Sequence, residues 1–149
     1  MSQTKTVHHT IVVIGGGPAG LAAAIAAYDA GAQDVAVVER DGTPGGILQQ
    51  CIHNGFGLTR FGENLTGPEY AARFSAEAHS RGIRTYFGTT VLRLAGDRTL
   101  TVTNPTDGIF YMTADAVVLC MGCRERSKGA LNIPGTRPAG LFSAGAAQK

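Results

Sequence analysis

The sequence carries almost no net charge: 13 Lys and Arg against 11 Asp and Glu leave a formal +2 at pH 7 over 149 residues. The basic residues are scattered, so the positive stripe that nucleic-acid binding needs is missing and no such partner is expected. Cysteine is scarce too. Cys51, Cys120 and Cys123 are odd in number and lack the framework spacing of small secreted domains, which favours a reducing, cytoplasmic setting. An unbroken hydrophobic run is absent. Ile11 to Tyr28 is free of charge, but three consecutive glycines and Pro18 interrupt it, so neither a targeting peptide nor an integral membrane segment is expected. There is no internal repeat.

What the sequence has in abundance is glycine. Its 21 glycines are about twice the ordinary usage of roughly 7%, and they cluster, as turns require. The length and the 44% apolar fraction suit one domain with its own core, taken as residues 1–149.

Thr10 to Ile14 is a β-branched run that ends in glycine and predicts a strand buried on both faces. Pro18 suits the first turn of a helix, and the helix formers from Leu21 to Ala30 run until Gly31. Asp34 to Glu39 predicts a second strand. Strand, helix and strand within about 30 residues make a βαβ unit with parallel strands. Residues 40–65 show no period and read as a long irregular loop, which in a compact domain is usually functional. Thr66 and Glu69 then have capping-box spacing, and the helix EYAARFSAEAHSR runs to Gly82 with Tyr70, Ala71, Phe74 and Ala78 facing inward. From Ile83 the pattern is of strands: IRTYF, TTVLRL, TLTVT, IFYMT and AVVLCM, separated by turn residues. The segment after them reads as loop. The expected class is α/β, a parallel βαβ start with an inserted antiparallel meander.

The spacing Gly15-x-Gly17-x-x-Gly20 falls between a strand and a helix, the context in which such a motif predicts dinucleotide binding. Gly15 allows the tight turn, Gly17 lets a pyrophosphate approach the backbone, and Gly20 lets helix and strand pack closely. Pro18 and Ala19 lie at the helix start, whose N–H groups and dipole favour an anion. Glu39, at the end of the second strand, is where a carboxylate accepts from both ribose hydroxyls.

Taken together, IVVIGGGPAGLAAA, VAVVER, TPGGIL and AVVLCMGCRER resemble the FAD-binding half of the two-dinucleotide flavoproteins that include pyridine nucleotide-disulfide reductases. More narrowly, GGILQQCIHNGFGL, LTGPEYAARF and GCRERSKGALNIPGTRPAGLFSAGAAQ are similar to flavoprotein subunits of the glycerol-3-phosphate dehydrogenase and sarcosine or opine oxidase α type. The resemblance implies a Rossmann-like FAD/NAD(P)-binding fold and an FAD-dependent oxidoreductase that passes hydride between a small polar substrate, or NAD(P)H, and FAD. It implies cofactor contacts from Gly15, Gly17, Pro18, Ala19, Gly20, Glu39 and the adjacent Arg40. It adds the pair Gly45 and Gly46, Val91 on a strand beside the adenine, and Met121 and Gly122 where the chain crosses near the cofactor. Such proteins continue into a second glycine fingerprint for NAD(P)H and a closing Gly-Asp segment, neither of which is in this sequence. The chain is therefore expected to be the N-terminal part of a longer flavoprotein, or a dinucleotide-binding module that needs a partner subunit or a second copy of itself.

Cys120-x-x-Cys123 has the spacing of a redox pair, but Cys120 ends an apolar strand where a small buried hydrophobe is equally at home. The family's redox disulfide has a longer spacing just after the glycine pair, where only Cys51 is present, so electron transfer from flavin to a disulfide is not expected. Cys51-x-His53 is tighter than zinc sites use, and no metal is expected. Cys51 and His53 sit in a polar group within a glycine-rich loop. They are the candidates for catalysis near the flavin, His53 as a proton carrier, with local loop hydrogen bonding as the other reading.

Overall fold

The computed structural model describes residues 5–136 and 138–148; residues 1–4, 137 and 149 of the expected domain lie outside the described residues. A six-stranded sheet organises the chain. It contains β1 (Thr6–Ile14), β2 (Val35–Val38), β5 (Arg84–Tyr86), β6 (Thr90–Leu94), β7 (Thr99–Asn104) and β8 (Gly108–Leu119). Their spatial order is β5-β2-β1-β8-β7-β6, and β3 (Asn54–Phe56) and β4 (Leu65–Thr66) form a separate two-stranded sheet.

The expected βαβ unit is present. β1 and β2 pair in parallel, Ile11 opposite Val35 and Ile14 opposite Val38, and α1 (Pro18–Asp29) connects them. Pro18 opens that helix at a position where its missing N–H costs nothing. The chain turns away at Gly31, whose φ of +109° is readily open only to glycine. All four residues of β2 are buried, as a strand covered on both faces requires. Alternation along β1 builds two core layers. Val13 joins Leu21, Ala24 and Ile25 of α1 and Phe74 and Ala78 of α3 (Gly67–Ser80). Val12 and Ile14 join Leu100 and Val102 of β7 and Phe110 and Met112 of β8.

The helix α3 starts as its sequence predicts. Thr66 N–H donates to Glu69 Oε2 at 2.8 Å and Glu69 N–H donates to Thr66 Oγ1 at 3.5 Å, closing the capping box. The Thr66 N–H, and after it the Thr66 hydroxyl that donates to the same Oε2 at 2.7 Å, hold the Glu69 carboxyl below its usual range. Ala71, Phe74 and Ala78 are buried and Tyr70 packs against the same core.

Four expectations need correction. The strands IFYMT and AVVLCM are one strand, β8: its first half pairs antiparallel with β7 and most of its length pairs parallel with β1. No glycine or proline separates the two halves, so nothing breaks the strand where its role changes. The strand at IRTYF is β5, which pairs in parallel with β2 at the far edge of the sheet rather than entering the meander. It follows a helix, and a helical crossover returns a strand parallel. Residues 40–65 are not one irregular loop: they hold a 3₁₀ turn at Gly46–Gln50, the strands β3 and β4, and the short helix α2 (Leu58–Phe61). A short helix, α4 (Ala144–Gln148), also lies in the segment read as loop.

Candidate functional site

The turn after β1 is held largely by backbone, with one side chain, Glu39, joining it. Gly15 N–H donates to the Val38 carbonyl at 2.8 Å and Cys120 N–H to the Ile14 carbonyl at 2.8 Å, so the ends of β1, β2 and β8 meet there. Gly15 has a φ of +105°, and a Cβ on it would lie 2.8 Å from the carbonyl carbon of Cys120. A Cβ on Gly20 would overlap the carbonyl oxygen of Gly15. Both glycines are therefore demanded by the chain's own packing, in the roles the spacing assigns them.

Gly17 differs. Its φ of −73° is open to any residue, and a Cβ there would meet nothing within 4 Å. It is also the N-cap of α1, with no side chain capping the helix. Pro18 has no N–H, and the next N–H groups of the first turn, including those of Ala19 and Gly20, lack partners within a helix. The bare Cα and an uncapped helix end leave room for a phosphate, and the residues fit the FAD that the resemblance implies.

Glu39 is buried at 7% exposure. Gly16 N–H donates to its Oε2 and Asp41 N–H to its Oε1, each at 2.7 Å. Its carboxylate is thus aimed at the glycine turn and is not a solvated strand end. Arg40 next to it is mostly exposed, with Nε 3.7 Å from Asp41 Oδ1. Gly45 N–H donates to the Gly16 carbonyl at 2.7 Å, and a Cβ on Gly46 would lie 3.3 Å from Gly17 Cα. The second glycine pair is therefore stacked on the first turn. Val91 lies on β6 and packs into the meander core. Just before it, Gly88 and Thr89 N–H groups donate to the carbonyls of Asp41 and Glu39. The Met121 Cα would be 3.3 Å from a Cβ on Gly15, while the Met121 side chain is exposed and Gly122 has a φ of +68°.

Around this turn the structure brings together groups the sequence did not single out. Asp41, Thr43, Gly46, Gln49, Gln50 and Gln148 line a cavity of about 350 Å³. Only the glycine beside them gave a signal, because loop side chains have no period. His9 is a second omission. It is buried, its Nδ1 is 2.8 Å from Asp34 Oδ1 and its Nε2 is 2.9 Å from Tyr86 Oη. That network ties three segments distant in sequence.

Cys51 is half-buried and accepts the Gly67 N–H at its carbonyl, and His53 is exposed. Cys120 is half-buried, packed against the helix-side core rather than fully inside it, and Cys123 is exposed. All three cysteines are free thiols. Among the described residues, no three His, Cys, Asp or Glu gather as a metal would need, so Cys51, His53, Cys120 and Cys123 form no such set. No described helix is long and apolar enough to cross a membrane.

A mixed sheet whose parallel half carries a strand-to-helix glycine turn, with an acid at the end of the second strand, has the features of the Rossmann-like dinucleotide-binding class. Residues 9–147 match the pyridine nucleotide-disulphide oxidoreductase family, and the chain belongs to it. It is therefore a member of a family of FAD-dependent oxidoreductases. The chain is 32% identical to one of the subunits of opine oxidase from Rhizobium meliloti, over 94% of this chain and 27% of that relative. It thus spans about a quarter of that relative's length. L-proline dehydrogenase from P. horikoshii has the same fold over 82% of this chain and 24% of its own, with a TM-score of 0.66 and 23% identity. Thioredoxin reductase from Streptococcus pyogenes matches over 83% and 38%, with a TM-score of 0.62 and 24% identity.

Proposed function

We propose that this chain is the FAD-binding part of an oxidoreductase acting on a small polar substrate, with an opine-like amine as the substrate class suggested by the relative's name. The observation that carries the reading is Gly17: unstrained, with open space where a Cβ would stand, it is the N-cap of α1, a helix start that no side chain caps. The helix N–H groups would hold the pyrophosphate, Glu39 the ribose hydroxyls, and Gly45, Gly46, Val91, Met121 and Gly122 would line the rest, with Arg40 beside the ribose. Bound FAD supplies a two-electron acceptor for hydride. NAD(P)H would serve as electron partner in a longer protein, and the free thiols suit the cytoplasm.

The test is titration of the chain with FAD, read by visible flavin absorbance. FAD binds the unmodified chain, and Glu39→Ala weakens it about tenfold or more, since each lost hydrogen bond to a charged group is worth ~1.5–3 kcal/mol. Equal affinity in both would sink the reading.

A second reading, a module completed by a partner subunit or a second copy, is favoured by the exposure of Leu119, Met121, Leu131, Ile133, Leu141 and Phe142. Gel filtration at micromolar concentration tests it: self-association supports the second copy, and a sharp monomer counts against it.

A further inference from the structure

Resting on the FAD-binding reading, we propose that Tyr86 and the buried His9 are positioning residues for Glu39: a side-chain tie between them sets the turn after β5, and that turn sets the acid. Both backbone groups of Glu39 are taken by this turn. Its N–H donates to the Tyr86 carbonyl and its carbonyl accepts from Thr89 N–H, each at 2.9 Å, and the Asp41 carbonyl accepts from Gly88 N–H at 3.0 Å. Asp41 N–H then donates to Glu39 Oε1 at 2.7 Å. β2 ends at Val38, one residue before the acid. Beyond that point the template for residues 39–41 is the chain from 86 to 89.

The turn is itself held from two sides by side chains. On the parallel side, the Tyr86 hydroxyl lies 2.9 Å from His9 Nε2, and His9 Nδ1 lies 2.8 Å from Asp34 Oδ1. A carboxylate only accepts, so Nδ1 carries the hydrogen, Nε2 of the neutral ring accepts, and the Tyr86 O–H donates. The phenol oxygen is left to accept from Arg84 Nη1 at 3.4 Å. The His9 and Tyr86 rings meet edge to face, 5.6 Å apart at 65°. On the meander side, Thr89 Oγ1 donates to the Phe87 carbonyl at 3.0 Å and accepts from Asn104 Nδ2 at 3.4 Å. His9 and Thr89 are 2% and 1% exposed. A polar group so buried keeps the geometry in which it is paired, because water cannot replace a lost partner there. The path is continuous: Asp34 to His9, His9 to the Tyr86 hydroxyl, and the Tyr86 carbonyl to Glu39 N–H.

The Glu39 carboxylate already accepts from Gly16 and Asp41, and its remaining lone pairs are what a ribose can use. Their direction follows the backbone at residue 39. A rotation there would lengthen the bonds from Gly16 and Asp41 and turn the free lone pairs away from the ligand. Loosening the tie therefore weakens a ribose-bearing ligand without removing any group that touches it.

Two measurements on the whole chain test this. Tyr86→Phe keeps the ring and its packing and removes only the hydroxyl. In amide spectra of the free chain, this variant shifts the Gly16 and Asp41 N–H resonances in the direction that Glu39→Ala shifts them, by a smaller amount, while the Thr66 amide of the α3 cap stays in place. Asp34→Ala, at the exposed end of the tie, gives the same pattern and carries the test if Tyr86→Phe does not fold. Unmoved Gly16 and Asp41 amides, or a Thr66 amide that moves with them, overturn the proposal. The second measurement is FAD titration in a double-mutant cycle. Tyr86→Phe raises the Kd roughly fivefold, the scale of one ordinary hydrogen bond. Once Glu39 is replaced by alanine, the same change adds less than about twofold. No change in Kd, or an equal change in both backgrounds, means that Tyr86 does not act through Glu39 and overturns the proposal. If the unmodified chain binds no FAD, the cofactor reading falls, while the amide spectra still decide whether the tie sets Glu39.

Discussion

In the glycine turn after β1, backbone holds backbone. Gly15, Gly16 and Gly20 meet the carbonyls of Val38, Gly45 N–H and one another with no long side chain between them, Glu39 excepted. In the segment after β8, side-chain ends make the holding contacts. Glu125 accepts from Ser143 Oγ and Gly145 N–H across 18 and 20 residues, and Lys128 Nζ donates to the carbonyls of Gly135 and Thr136. The first region is fixed by shape, and its determinants are short and local. The second is fixed by charge at the surface, where each contact competes with water, so its order depends on solution conditions.

The contrast is tested most severely by removing one large ring from each region. Phe110 is fully buried in the meander-side core, whereas Phe142 is 70% exposed. Phe110→Ala should cost about 3–5 kcal/mol and Phe142→Ala less than about 0.5 kcal/mol, both read by urea unfolding. Comparable losses would mean that the distal segment belongs to the core.

A finer cut separates glycines within the turn. Gly20→Ala forces a methyl into the Gly15 carbonyl and should destabilise by about 3 kcal/mol. Gly17→Ala should leave stability within about 0.5 kcal/mol while weakening FAD binding measured by titration. An unstable Gly17→Ala chain with unchanged affinity would reverse the distinction.

The smallest effect belongs to pH. The Ser143 hydroxyl, and after it the Gly145 N–H, hold the Glu125 carboxyl below its usual range. A folded value below the unfolded one means that the contact stabilises fully above the ordinary glutamate value of about 4.3 and is lost as pH falls through the lower folded value. Amide exchange at Gly145 should therefore gain opening below that pH beyond its intrinsic rate, while exchange at Gly15 does not. Parallel behaviour at both amides would erase the difference between the two regions.

These regions were also unequally legible in the sequence. That Gly15, Gly17, Gly20 and Glu39 meet at one turn could be read because all four lie within one βαβ unit, and the helix start at Thr66 and Glu69 because a capping box spans one helical turn. The stacking of Gly45 and Gly46 on Gly16 and Gly17 was indicated only through resemblance, since their contact closes across a loop. Strands as short as β3 and β4, of three and two residues, cannot show an alternation, so residues 40–65 read as irregular. The continuity of β8 was hidden because its burial changes where it passes from the meander to the parallel strands. His9, Asp34 and Tyr86 are joined only by tertiary folding, and no local pattern announces them.

The pairing of β1 with β8 has a consequence for the order of assembly. Thr6 lies beside Tyr111 and Ile14 beside Leu119, so the strand that ends in the glycine turn gains its second neighbour only from residues about a hundred positions later. Contacts that distant form slowly, after the loop between them has closed. During synthesis the glycine turn is therefore written first and completed late. FAD added to a nascent chain should be retained only once β8 has emerged.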